Sequence, residues 1–152
     1  MAWCPGESIL YFDHKFKVCE NHILKANAIC KTDLLIRNTP KKKVFIQDEI
    51  DAAINQKRYL YSMPETIEWV NSKIKSGEYS YSNRIMNTGF ILYKDISLIQ
   101  KLCDEVYKAC SDLGQPECQI IWGVLSQKFE EYITRVDWKT IEMIWKEPVA
   151  VF

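Results

Sequence analysis

Three short apolar runs, each closed by charge or a turn and separated by helix-patterned sequence, constrain this chain most. They are ILYF at 9–12, DLLIRN at 33–38 and FILY at 90–93. Between the first two lies NHILKANAIC, with Ile23, Leu24, Ala28 and Ile29 at helical spacing and Asn21 as a candidate N-cap. Between the second and third lie VFIQDEIDAAINQKRYLY at 44–61 and PETIEWVNSKIKSG at 64–77. Phe45, Ile46, Ile50, Ala53 and Ile54 form one stripe on the first of these. Pro64 suits the first turn of the second, and Gly77 its end. Two more helical patterns follow, at 97–114 and 117–129, and the tail at 132–152 carries a further strand. This alternation predicts an α/β domain in which helices pack on a mixed sheet. Chemistry in such sheets gathers where strands end and loops leave the core. Asp13, Arg37 and Lys94 follow or close the three apolar runs.

Composition narrows the partners. The 152 residues make one domain the simplest reading. Twenty basic side chains balance twenty acidic ones, so no global field recruits nucleic acid or an anionic membrane. An anionic ligand must therefore be held by local charge. No stretch approaches the roughly 20 apolar residues of a membrane span. Cys4, Cys19, Cys30, Cys103, Cys110 and Cys118 include no C-x-x-C pair, and Cys19, Cys30, Cys103 and Cys110 sit in helical or apolar contexts. They read as reduced thiols of a cytoplasmic protein.

Three stretches carry the candidate chemistry. SILYFDHKFKV delivers a carboxylate, an imidazole and an ammonium to the end of a strand. Side-chain alternation along an extended chain would put Asp13 and Lys15 on one face and His14 on the other. MNTGFILYKD places Asn87, Thr88 and Gly89 ahead of an apolar strand, and QPECQIIWGVL opens an apolar helix with Glu117 and Gln119. Each has a plain alternative: a salt-bridged strand end, a tight turn, and a helix cap after Pro116. Asp48 and Glu49 near a helix start fit the helix dipole as well as a catalytic role. The run Arg37, Lys41, Lys42, Lys43 could grip phosphate or face solvent. Trp69, Trp122, Trp138 and Trp145 read first as core.

The order of these three stretches resembles glycosyltransferases of the GT-A fold, in which a D-x-D strand, an N-[ST]-G strand and a D-Q-like helix start surround a nucleotide sugar. It is similar in particular to a family of glycosyltransferase-like proteins of plants and microbes whose motif reads I-W-I-D-G-K. Asp13-His14-Lys15 stands in the D-G-K place, residues 44–61 in that of an acidic helix, and Cys118-Gln119 in the D-Q place.

The resemblance implies a single GT-A-like domain over 1–152 that lacks most of the usual N-terminal nucleotide-binding half. It also implies transfer of a hexose or pentose from a nucleotide-sugar donor to an unknown acceptor. Asp13, Lys15 and Arg37 would then hold the diphosphate, and Asn87, Thr88 and Gly89 the sugar and acceptor. Asp48, Glu49, Glu117 and Gln119 would supply the catalytic groups. A divalent metal, Mn²⁺ or Mg²⁺, would be bound by Asp13 and His14. D-H-K replaces the second carboxylate of D-x-D by a cation, so Lys15 could make that metal dispensable.

Two other readings stand beside this one. A catalytically inactive GT-A-derived interaction module would use the tail WKEPVAVF as an interface, for instance in a homodimer. A small nuclease built on Asp13, Glu49 and Lys15 ranks last, because it gives no reason for the NTGFILY strand.

Overall fold

The computed structural model describes residues 8–40 and 44–146. The chain opens with β1 (Ile9–Phe12) and the two-residue β2 (Phe16–Lys17), then α1 (Glu20–Ile29) and β3 (Leu34–Asn38). Next come α2 (Ile46–Ile54), α3 (Met63–Lys75) and β4 (Met86–Tyr93). After α4 (Ile96–Leu113) and α5 (Cys118–Leu125), a 3₁₀ segment at Ser126–Tyr132 leads into β5 (Ile133–Val136). A second 3₁₀ turn, Trp138–Ile141, precedes β6 (Ile144–Trp145).

The four-stranded sheet runs in the order β1, β4, β3, β5. β4 is antiparallel to both neighbours, and β3 pairs in parallel with β5. β2 and β6 form a separate antiparallel ribbon. The architecture is therefore mixed α/β with helices packed on the sheet. All five residues of β3 are buried, as a central strand covered on both faces requires.

Alternation along β3 divides the core. Leu34 and Ile36 join Met86 and Ile91 against Ile99, Leu102 and Val106 of α4 and Ile121 and Trp122 of α5. Leu35 points the other way and joins Phe16, Ala26, Phe90, Leu92 and Ile141. A third cluster links Ile46 and Ile50 of α2, Met63 and Val70 of α3, and Ile120 and Val124 of α5. Because α5 packs between α2 on one side and the sheet on the other, its residues from Ile120 to Leu125 are all buried.

Three elements depart from the sequence reading. α1 is capped by Cys19 rather than Asn21, and the Cys19 N–H donates back to His22 Nδ1 at 3.1 Å. The helix expected over 44–61 stops at Ile54. Beyond it the chain makes successive tight turns, with N–H donations from Gln56 to Ala53, Tyr59 to Gln56 and Ser62 to Tyr59 at 2.9, 2.9 and 3.1 Å. These turns bury Tyr59, a tertiary gain that outweighs the helical propensity of the segment.

β4 begins at Met86, so Asn87, Thr88 and Gly89 lie inside a strand rather than ahead of one. Its register against β3 also slips. Ile36 faces Ile91, but Arg37 faces Asn87, so residues 88–90 have no partner on β3.

Most of the tail expected at an interface, residues 147–152, lies outside the described residues, as do Cys4 and the three lysines at 41–43. Trp145 is exposed, its ring edge-on to Phe16 at 5.0 Å. Trp122 is buried, and Trp69 and Trp138 pack against core clusters. No helix among the described residues is long and apolar enough to cross a membrane.

Candidate functional site

The slip in β4 opens one wall of a polar cavity of about 350 Å³. β4 supplies Asn87, Thr88 and Gly89 to it. The turn after β1 adds Asp13 and Lys15, with Tyr11 beside them. Glu49 of α2 and Gln56, Arg58 and Tyr59 of the turns beyond it close a second side. The start of α5 provides Pro116, Glu117, Cys118 and Gln119. Eight of the eleven site residues named from the sequence thus line one space, though they come from four separate parts of the chain.

The turn at 13–16 is closed by the Phe16 N–H donating to the Asp13 carbonyl at 3.0 Å. Asp13 and Lys15 do come together, but through this turn and not through strand alternation. Lys15 Nζ lies 2.9 Å from Asp13 Oδ2, in a half-exposed ion pair. The Tyr11 hydroxyl donates to Asp13 Oδ1 at 3.2 Å. Burial first, and then the Asp13 charge, hold that phenol above its usual range. Asp13 also donates its backbone N–H to the Gly89 carbonyl at 3.0 Å, which ties the turn to β4.

Arg37 does not line the cavity; it lies fully buried on the Phe16–Phe90 side of the sheet. It therefore cannot grip a phosphate as expected. Its Nη1 donates to the Ile141 carbonyl at 2.8 Å, and its Nη2 to Asn87 Oδ1 at 3.1 Å. The guanidinium stacks 4.3 Å from the Trp138 ring centre, with Phe16 and Phe90 each at 5.5 Å. Burial lowers its pKa to about 10, partly opposed by Asp13, so it stays charged at neutral pH.

A guanidinium only donates, so Arg37 fixes which end of the Asn87 amide faces it. Asn87 Nδ2 must then point to Gln119 Oε1, at 3.3 Å. The same oxygen accepts the Thr88 N–H at 3.3 Å. That N–H is available because the register slip has removed its strand partner. A side-chain amide of α5 thus completes the hydrogen bonding that β3 leaves open.

The two buried carboxylates of the wall are Glu49 and Glu117. Glu117 caps α5 by accepting the Gln119 N–H at 3.2 Å. Gln115 accepts the Glu117 N–H at 2.8 Å and donates to Thr66 of α3 at 2.9 Å, so this loop is rigidly placed. The Tyr59 phenol is hydrogen-bonded to Glu117. Burial, that bond and the Glu117 charge push it well above its usual range, so it serves as a donor. Arg58 stands at the exposed rim, stacked 4.4 Å over the Tyr59 ring and donating to Gln56 Oε1.

Two further expectations are corrected. Asp48 is not in the wall; its Oδ2 accepts the N–H groups of Phe45 and Val44 at 2.7 and 2.8 Å and caps α2. His14 is exposed and also lies outside the wall. Asp13 is held by Lys15 and Tyr11 and His14 lies outside the wall, so the pair expected to bind a divalent metal does not converge. Among the described residues no three His, Cys, Asp or Glu side chains converge to hold one. The five described cysteines are free thiols. Cys118 lies 3.4 Å from the Thr88 hydroxyl, and burial raises its pKa.

Sequence reasoning missed Tyr11, Gln56, Arg58 and Tyr59. The signal for the last three was the polar–aromatic cluster QKRYLY at 56–61, which helical periodicity absorbed; Tyr11 lies in the apolar run ILYF. In comparisons with known proteins, the chain matches no family model, no curated protein and no solved structure.

A Cβ at Gly89 would lie 2.9 Å from Asp13 Oδ2 and 3.2 Å from both Asn87 Oδ1 and Phe16 Cε2. Gly89→Ala is expected to displace the Asp13 carboxylate and cost about 1–3 kcal/mol in urea unfolding. An unchanged midpoint would show that the wall is loosely packed.

Asp48 has its pKa lowered by the two backbone N–H groups, so its contribution is complete above the unfolded carboxylate pKa of about 4. It fades as pH falls through the lower folded value. The difference in Tm between wild type and Asp48→Ala should be constant near neutrality and shrink below about pH 4.

Proposed function

We propose that this chain is a GT-A-like glycosyltransferase that seats the sugar and diphosphate of a nucleotide sugar in the cavity beside β4. The observation that supports this reading is the gathering of an ion-paired lysine, an oriented amide lattice and two buried carboxylates around one polar space. A sugar presents hydroxyls that need both donors and acceptors, which Asn87, Gln119 and Thr88 provide. A leaving diphosphate needs positive charge, and Lys15 is the cation beside the strand end. The volume sits at the lower end of the range for small-molecule sites.

In this reading an acceptor hydroxyl attacks the anomeric carbon. The bond from that carbon to the diphosphate oxygen breaks, and its electron pair stays on the diphosphate. Lys15 moves from Asp13 to the oxygen that gains charge. Glu117, oriented by Tyr59 and the start of α5, takes the acceptor proton. Arg37 acts from behind by holding Asn87. No step is routed through a metal, because Asp13 and His14 do not converge on one site. A cytoplasmic location suits the free thiols.

The mutual neutralisation of Asp13 and Lys15 favours the second reading, a sugar-binding module without turnover. Thermal shift with UDP-, GDP- and CMP-sugars, each with and without Mn²⁺, separates the two. The transferase account expects one donor to raise Tm equally with and without metal, and Lys15→Ala to abolish the rise. Glu117→Gln should keep that rise yet slow transfer by about 10²–10⁴-fold. A rise without any transfer would leave the binding module. If every donor fails to shift the protein, the nucleotide-sugar reading is wrong.

A further inference from the structure

A second cavity, of about 640 Å³, adjoins the first across a rim, with Arg58 and Pro116 lining both spaces. Its far wall comes from Ser62 and Glu65 at the start of α3 and from Ser111 and Asp112 at the end of α4. At its edge Tyr61 is 94% exposed, and Leu60 beside it is also open. The turns at 53–62 fix this segment through three successive hydrogen bonds, so the ring stands on a firm backbone.

From this arrangement we infer that the acceptor is a neutral saccharide chain lying across the second cavity, with Tyr61 as its stacking platform. The inference rests on the transferase reading and names the acceptor class of that same site. A chain of sugar rings alternates weakly polar ring faces with hydroxyl edges. The flat exposed ring of Tyr61 suits the faces. The carboxylates of Glu65 and Asp112 and the Ser111 hydroxyl suit the edges. Glu65 and Asp112 balance Arg58 and Lys108, the latter ion-paired to Asp112, so no excess of positive charge favours a phosphate-bearing acceptor, whether nucleic acid or lipid headgroup. A peptide would need a free strand edge or apolar side-chain pockets, and the far wall is mostly polar. Pro116 is followed at once by Glu117, so an acceptor hydroxyl crossing the rim arrives at the proposed base.

The test pairs two measurements on wild type, Tyr61→Ala and Glu65→Gln. Both residues are exposed and lie outside the donor cavity, so all three proteins should fold and give the same donor shift. The first measurement is retention on an array of neutral gluco-, galacto- and manno-oligosaccharides, with phosphorylated glycans and peptides alongside. The second is the donor thermal shift.

The inference expects retention of one neutral class, weakened about tenfold by Tyr61→Ala. Absence of retention, equal retention by Tyr61→Ala, or retention of peptides or phosphorylated glycans instead overturns it. If the donor shift persists in that case, the transferase reading survives alone. Tyr61-dependent retention without any donor shift supports the saccharide groove and removes the transferase reading.

Discussion

The guanidinium of Arg37 holds together the parts of the structure that matter for the site. Burying a cation is costly unless its donors are satisfied and its charge is met by polarisable surroundings. Here a carbonyl from the 138–141 turn and the oxygen of Asn87 meet the two terminal nitrogens, the faces of Trp138, Phe16 and Phe90 meet the charge, and Nε is left without a hydrogen-bond partner among the described residues. In doing so they join the end of β3, the slipped segment of β4 and a turn that arrives about a hundred residues later. Arg37 can only donate, so it also sets the direction of every hydrogen bond from Asn87 through Gln119 to Thr88.

The register slip is the geometric counterpart of that cation. Three residues of β4 leave β3, and the strand stays paired on its other edge through Phe12 and Phe90. The Thr88 N–H turns to a side chain of α5, and the Gly89 backbone comes close enough to Asp13 that a Cβ would collide. Irregularities of this kind commonly re-aim groups beside functional sites. Sheet, helix start and turn are thereby fixed relative to one another before any ligand arrives, which is the condition for efficient electrostatic stabilisation.

Local pattern carried the α/β alternation, the strand ending at Asp13 and the limits of α3 and α4. Those features depend on periodicity and on residues near one another in sequence. Arg37 was misread because a charged residue at a strand end looks like a surface group, and its stacking partner Trp138 is remote in the chain. Asp13 and Lys15 met for a reason different from the expected one, a turn in place of alternation. The segment 55–62 has helical residues and no Gly or Pro, and its unwinding buries Tyr59 beside Glu117. That unwinding brings Arg58 to the rim and Tyr61 into solvent.

The central claim is that the cavity beside β4 is a preformed site for the diphosphate end of a ligand. Titration of the ¹⁵N-labelled protein with sodium pyrophosphate at constant ionic strength tests it most directly. The account predicts saturable shifts of the Thr88 and Gly89 backbone amides and the Asn87 and Gln119 side-chain amides, all lost in Lys15→Ala. Shifts confined to exposed lysines elsewhere, or a response that survives Lys15→Ala unchanged, would contradict it.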